Sequence, residues 1–317
     1  MALIFLDSYK LVKLRSVLQT ILVGGTVAVV CLFFNSWIID FLSLNIKVYS
    51  RYVAPLSEEL LKAVYIVYFI KSKRVGFMVD GAIYGFAVGA GFAFIENVYY
   101  LQSLQSSNIL LWIIRGFGTA IMHGSTTAIF GIISKNLSDR KSSEKVNIFF
   151  PGLGVAFLTH SFFNHFILPP VITTLSLLIV LPLLIIAIFT QSEKATRNWL
   201  GVGFDTDMEL LQMITTGEIS GTRIGMYLQS LKRSFPGEVV ADMLCLLRIH
   251  LELAIRAKGI LLMRQTGFKV TTGPEIKAKF EELKYLEKSI GKTGKLAILP
   301  FLHTSSRDLW QLYMLGA

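Results

Sequence analysis

Apolar residues fill the first 190 positions in six blocks, roughly 18–42, 53–70, 76–101, 108–134, 148–168 and 170–190, separated by short polar stretches. Each block is near the ~20 residues an α-helix needs to cross a bilayer core. After position 190 the pattern changes. Asp242, Arg248, Glu252, Arg256 and Lys258 interrupt the apolar residues of 238–264, which predicts an amphipathic helix and not a seventh span. Pro274 opens another predicted helix, with Ile276, Phe280, Leu283 and Ile290 on one broad face. Thr206-Asp207-Met208-Glu209 has capping-box spacing before Leu210 and Leu211, so a helix start is expected there. Gly201 and Gly203 mark the expected break between the two parts. The predicted fold class is all-α: a polytopic membrane helix bundle of about six transmembrane helices over 1–190, followed by a helical soluble C-terminal domain over 191–317.

Composition supports the division. The chain of 317 residues is 53% hydrophobic, too apolar for an ordinary soluble domain. Of the 21 acidic and 31 basic residues, only 8 and 14 fall in 1–190. The net charge of +10 is shared by both parts, and the bases of the C-terminal part interleave with acids, which gives no nucleic-acid footprint. Cys31 lies in the first apolar block and Cys245 in the polar part, which gives no disulfide framework.

The bases of the first part follow an alternating rule. Lys10, Lys13 and Arg15 precede block one, Lys71, Lys73 and Arg74 follow block two, and Lys135, Arg140, Lys141 and Lys145 follow block four. Lys194 and Arg197 follow block six, while the other loops carry little beyond Lys47 and Arg51. The positive-inside rule then puts both termini in the cytoplasm. In block three, Gly81, Gly85 and Gly89 share one helical face, a spacing that lets helix backbones approach closely in lipid.

Against this apolar background a few polar residues stand out. Glu58, Glu59 and Lys62 interrupt block two, Glu96 ends block three, His123 lies inside block four, and His160 and Asn164 sit one turn apart in block five. Ionisable side chains inside spans face protein or a wet cavity and mark function. Pro55 and Ser57 suggest a helix start near Glu58, with Ser57 as cap. Lys62 is four residues from Glu58 and three from Glu59, so it reaches either. One carboxylate can then be held by Lys62 while the other activates water. By rise per residue, Glu59, Glu96 and His160 are expected at one level near the outer side, with His123 deeper.

Glu58-Glu59-x-x-Lys62, the run from Asp80 to Glu96-Asn97, His123, and His160-x-x-x-Asn164 together resemble the PrsW intramembrane proteases, relatives of the CAAX prenyl endopeptidases. The resemblance covers about residues 50–168. It implies peptide-bond hydrolysis in or beside a membrane, with Glu58, Glu59, Lys62, Glu96, His123, His160 and Asn164 as motif residues. For PrsW itself it implies cleavage of a membrane-spanning anti-sigma factor that starts a stress response, in a bacterial inner membrane. The part after residue 200 lies outside the family's minimal pattern.

Two chemistries remain open on the residues alone. In the metal-free one, Glu58 or Glu59 is the general base on a water, His160 or His123 protonates the leaving amine or holds the carbonyl, and Asn164 stabilises the oxyanion. In the other, Zn²⁺ is held by a set drawn from Glu59, Glu96, His123 and His160 with an open position for water. The expected partners are a membrane-anchored protein substrate, the lipid bilayer and a cytoplasmic protein bound through 191–317. Two other functions use the same residues differently. A transporter would run protons or ions along the buried carboxylates and histidines, and a receptor or scaffold would act through its C-terminal domain.

Overall fold

α1 (Leu14–Leu42) carries the first apolar block and ends where Ser43 takes a left-handed conformation. A helical turn at Ile46–Val48 and a π-helical stretch at Tyr49–Val53 lead directly into α2 (Ala54–Lys71). Asp80 then closes the entry to α3 (Met78–Ser103), its Oδ2 accepting from the backbone N–H groups of Gly76 and Phe77 at 2.9 and 3.0 Å. A π-helical turn at Ile114–Thr119 precedes α4 (Ala120–Lys141), and a 3₁₀ turn at Val146–Phe149 precedes α5 (Phe150–Asn164). α6 runs from Pro170 to Thr216, followed by α7 (Arg223–Leu231), α8 (Gly237–Gln265) and α9 (Pro274–Ile298). This computed structural model describes residues 12–103, 114–141, 145–165, 167, 169–266, 268, 270, 273–302, 310–311 and 314–315, and no strand occurs among them. Lys10, the 104–113 part of the expected loop and fourth block, and the side chains of Arg140 and Lys141 lie outside what is described.

The chain divides into two compact units, residues 1–193 and 194–317, and the division falls within α6. In the first unit, Ile66, Ala82, Val88, Ala128, Phe130 and Ala156 are among the residues that pack one apolar core. α3 is pressed against its neighbours through glycine. A Cβ on Gly85 would lie 2.4 Å from the Thr127 carbonyl oxygen, and one on Gly89 would lie 2.1 Å from that of His123. The face of small residues predicted for block three is therefore where α3 and α4 meet, and the close approach fixes the backbone of His123. Gly91 meets the Ile21 carbonyl of α1 in the same way. In the second unit Met243, Leu246, Leu253 and Ile260 of α8 pack with Ile276, Leu286 and Ile290 of α9. Both helices predicted from the charge-interrupted pattern are present. Cys31 and Cys245 are free thiols.

Among the described residues, three helical segments are long and apolar enough to cross a membrane: Leu14–Leu42, Met78–Gln102 and Val146–Asn164. The structure departs from the sequence reading in three places. No helix starts at Thr206, because α6 continues through it and the Thr206 hydroxyl donates back to the Val202 carbonyl at 2.9 Å. Gly201 and Gly203 interrupt nothing, since glycine lowers helix propensity by only about 1 kcal/mol and packing overrides it. Ser57 is no cap either. α2 begins at Ala54 as a continuation of the π-helical stretch, so Glu58 lies in its second turn, away from a free helix end.

Candidate active site

α2 presents Glu58 and Glu59 to two different environments, because consecutive residues on a helix point about 100° apart. Glu59 is held through one oxygen. Its Oε1 accepts from Lys62 Nζ at 2.5 Å and from His160 Nδ1 at 2.9 Å, and the Thr126 hydroxyl lies 3.3 Å away. Lys62 also reaches His123 Nδ1 at 2.9 Å and stands over the Phe92 ring, 4.7 Å from its centroid. Lys62 is completely buried, so these contacts are what keep an ammonium out of water. Glu58 is different. Its Oε1 receives a hydrogen bond from Asn35 Nδ2 at 3.4 Å, and its buried Oε2 has no hydrogen-bond partner.

The hydrogen bonds assign the histidine tautomers. An ammonium only donates, so His123 Nδ1 accepts from Lys62 and Nε2 carries the proton. That Nε2–H donates to Glu96 Oε2 at 2.7 Å. Glu59 is a carboxylate acceptor, so His160 Nδ1 is the protonated nitrogen. In the neutral ring this leaves the His160 lone pair on Nε2, which faces Glu58 Oε2 at 3.9 Å. The two imidazoles meet edge to face with centroids 4.7 Å apart. Four helices thus contribute to one cluster: α2 with Glu58, Glu59 and Lys62, α3 with Glu96, α4 with His123 and α5 with His160.

The cluster forms part of the wall of a cavity of about 520 Å³, lined also by Cys31, Asn35, Tyr49, Tyr99, Tyr100 and Asn164. Glu58, Glu96, His123 and His160 all reach it. Glu59 and Lys62 do not line it and stand behind those four. Asn164 lines the cavity while its Nδ2 donates to the Ser50 carbonyl at 2.9 Å, and the neighbouring Ser161 hydroxyl donates to the Arg51 carbonyl at 2.6 Å. An amide NH₂ has two protons, so one remains for a ligand. His165, which faces away from Asn164 on the helix, meets the Tyr52 hydroxyl at 3.0 Å and lies outside the cluster.

Glu58, His123 and His160 each offer a ligand atom within 4.8 Å of the other two. The set expected from sequence contained Glu59 in place of Glu58, and also Glu96. The structure gives Glu59 the task of holding His160 and Lys62, and leaves the orphaned oxygen on Glu58. Asn35 and Thr126 were not singled out by sequence reasoning, and Ser57 only as a helix cap. Asn35 carried a signal, as an amide within the first apolar block, and Thr126 lies one turn beyond His123.

Among the described residues, membrane-length helices thus surround a buried carboxylate–imidazole centre on the wall of a cavity. The chain belongs to the PrsW family of intramembrane metalloproteases, whose family pattern it matches over residues 13–189, more than half its length. No curated protein and no solved structure matches it. Family membership implies a membrane-protein substrate and a place in the bilayer.

Proposed function

We propose that the chain hydrolyses a peptide bond of a membrane-anchored protein in the cavity bounded by Glu58, Glu96, His123, His160 and Asn164. The observation that carries this reading is the convergence of Glu58, His123 and His160 from three helices, with a buried Glu58 oxygen left unpartnered. Family membership favours hydrolysis over the transport and scaffold readings of the same residues.

The residues fit a zinc ion. Two imidazoles and a carboxylate are a donor set that zinc takes in catalytic sites. Glu58 Oε2 lacks a partner, and the Glu59 carboxylate on His160 Nδ1 is the usual device that leaves the other ring nitrogen as a metal ligand. Glu58, His160 and His123 would hold the ion, His123 by giving up one of its two hydrogen bonds. When bound, zinc supplies Lewis acidity that polarises the carbonyl and makes water a nucleophile near neutral pH.

The chain's own residues do the rest. Glu96, a carboxylate on the cavity wall, takes a proton from the attacking water and returns it to the leaving amine. Lys62 and Glu59 hold the two histidines in position from behind. The second N–H of Asn164 donates to the developing oxyanion, and the anchoring of the first on Ser50 fixes its direction. Glu58 Oε2 facing His160 also supports the metal-free alternative, in which Glu58 is the general base. Activity that survives complete chelation selects that alternative.

Both termini lie in the cytoplasm of a bacterial inner membrane, the substrate is a single-pass protein such as an anti-sigma factor in stress signalling, and residues 191–317 bind a cytoplasmic partner. Membrane proteomics comparing wild type with Glu58→Gln tests the activity. One intact single-pass protein is expected to accumulate in the variant, and indistinguishable proteomes contradict the proposal.

A further inference from the structure

We propose that Asn35 is a positioning residue that selects which oxygen of Glu58 faces the site, and through it sets how tightly the site holds a divalent metal ion. The inference rests on the reading of Glu58 as a metal-holding residue given above. Asn35 lies on α1, outside the run of motif residues on α2 to α5. An amide in an apolar helix needs partners, and both ends of this one have them on α2. The Ser57 hydroxyl donates to Asn35 Oδ1 at 2.8 Å, and Asn35 Nδ2 donates to Glu58 Oε1 at 3.4 Å. The Glu58 carboxylate only accepts, so the NH₂ faces Glu58 and the amide oxygen faces the Ser57 hydroxyl, which also lies 3.0 Å from the Ala54 carbonyl oxygen.

The consequence lies in the two carboxylates. Glu59 is immobilised by Lys62, His160 and Thr126. Glu58 has Asn35 alone as its hydrogen-bonding restraint among the described residues. With Oε1 held on α1, Oε2 is left buried and unpartnered, 3.9 Å from His160 Nε2. Without Asn35 the side chain regains its rotamers, and the ordering cost returns each time a metal binds. Asn35 therefore acts on Glu58 as Glu59 acts on His160, each orienting one donor from outside the metal's reach.

Zinc affinity of the purified full chain, measured by competition with a chelating dye, tests this. Asn35→Leu keeps the size of the side chain and removes its polar atoms, Ser57→Ala frees the amide to rotate, and Glu58→Gln reports on the ligand itself. Thermal unfolding is followed in parallel. Asn35→Leu is expected to weaken zinc binding about 10–100-fold, Ser57→Ala less in the same direction, and Glu58→Gln most. A purely structural role for Asn35 would lower the unfolding temperature and leave the affinity of folded molecules unchanged. Wild-type affinity in Asn35→Leu overturns the assignment of Asn35 and leaves the site reading standing. Wild-type affinity in Glu58→Gln, or no zinc binding by the wild type, overturns Glu58 as a ligand and the role of Asn35 with it.

Discussion

Each unit of the chain buries a lysine against a carboxylate, and the two pairs differ in what surrounds them. Lys62 meets Glu59 at 2.5 Å and Lys258 meets Asp207 at 2.7 Å, all four side chains being almost wholly buried. Around Lys258 the structure closes. Its ammonium lies 5.3 Å from the Trp199 ring centroid, and Gly203 leaves it room, since a Cβ there would come within 2.7 Å of Nζ. Around Lys62 the contacts continue outward through His123, His160 and Glu96 to a cavity, and stop at an oxygen of Glu58 with no partner. Burying an ion pair costs desolvation that Coulomb attraction only roughly offsets. The second unit's pair tethers α6 to α8. The first unit's pair contacts His123 and His160, which line the cavity.

Removing a donor from the open network has the largest expected effect. His160→Ala is expected to lower the rate of substrate cleavage by at least about 10²–10⁴-fold, while leaving most of the stability of the fold in place. The rate is read as loss of the intact membrane substrate over time, with thermal unfolding as the companion measurement. The closed pair should behave in the opposite way. Lys258→Met takes the ammonium away from the buried Asp207 carboxylate and is expected to destabilise by about 3–5 kcal/mol, whereas adding Asp207→Leu restores most of that loss. Denaturant unfolding, with hydrogen exchange in α8 to locate the effect, measures both variants. Cleavage per folded molecule is expected to stay near wild type.

A smaller effect sharpens the link between packing and chemistry. Gly89→Ala pushes a methyl against the His123 carbonyl, so α3 and α4 must part. The expected cost is about 1–3 kcal/mol, together with slower cleavage as His123 shifts. Gly154→Ala, inside α5 where a Cβ meets nothing within 4 Å, is expected to leave the rate unchanged and to add up to about 1 kcal/mol of stability through helix propensity.

The smallest effect lies on the surface of the second unit. Burial pushes the Glu252 carboxyl up, but hydrogen bonds from Lys279 and Arg248 outweigh it and hold the group below its usual range. A folded value below the unfolded one gives stabilisation that is complete above about pH 4.3 and fades as pH falls through the folded value. Lys279→Ala is expected to remove about 0.2–1 kcal/mol at neutral pH and to flatten this acid dependence, as read by denaturant titration at neutral and acid pH.

Much of this was legible in the sequence because lipid makes polar residues conspicuous. Glu58, Glu59, Lys62, Glu96, His123 and His160 stood out from apolar blocks, and helical spacing alone put Lys62 within reach of both carboxylates. Which carboxylate it takes was not legible. That choice depends on Thr126 and His160 waiting on one side of α2 and Asn35 on the other, contacts between residues 22 to 101 positions apart. The faces of α8 and α9 were readable for the same reason, since amphipathic spacing is local. The expected helix start at Thr206 failed because a capping box is also local, and a packed helix can run through it. The expected alignment of Glu59, Glu96 and His160 did not anticipate that Lys62 would bridge Glu59 to His123.

Cleavage by the purified chain in liposomes, with the membrane protein that accumulates in the Glu58→Gln strain as substrate, tests whether Glu58 belongs to a hydrolytic site. Wild-type chain is expected to cut that protein at one peptide bond, and Glu58→Gln is expected to leave it whole. Equal cleavage by the two chains would contradict the assignment of the site.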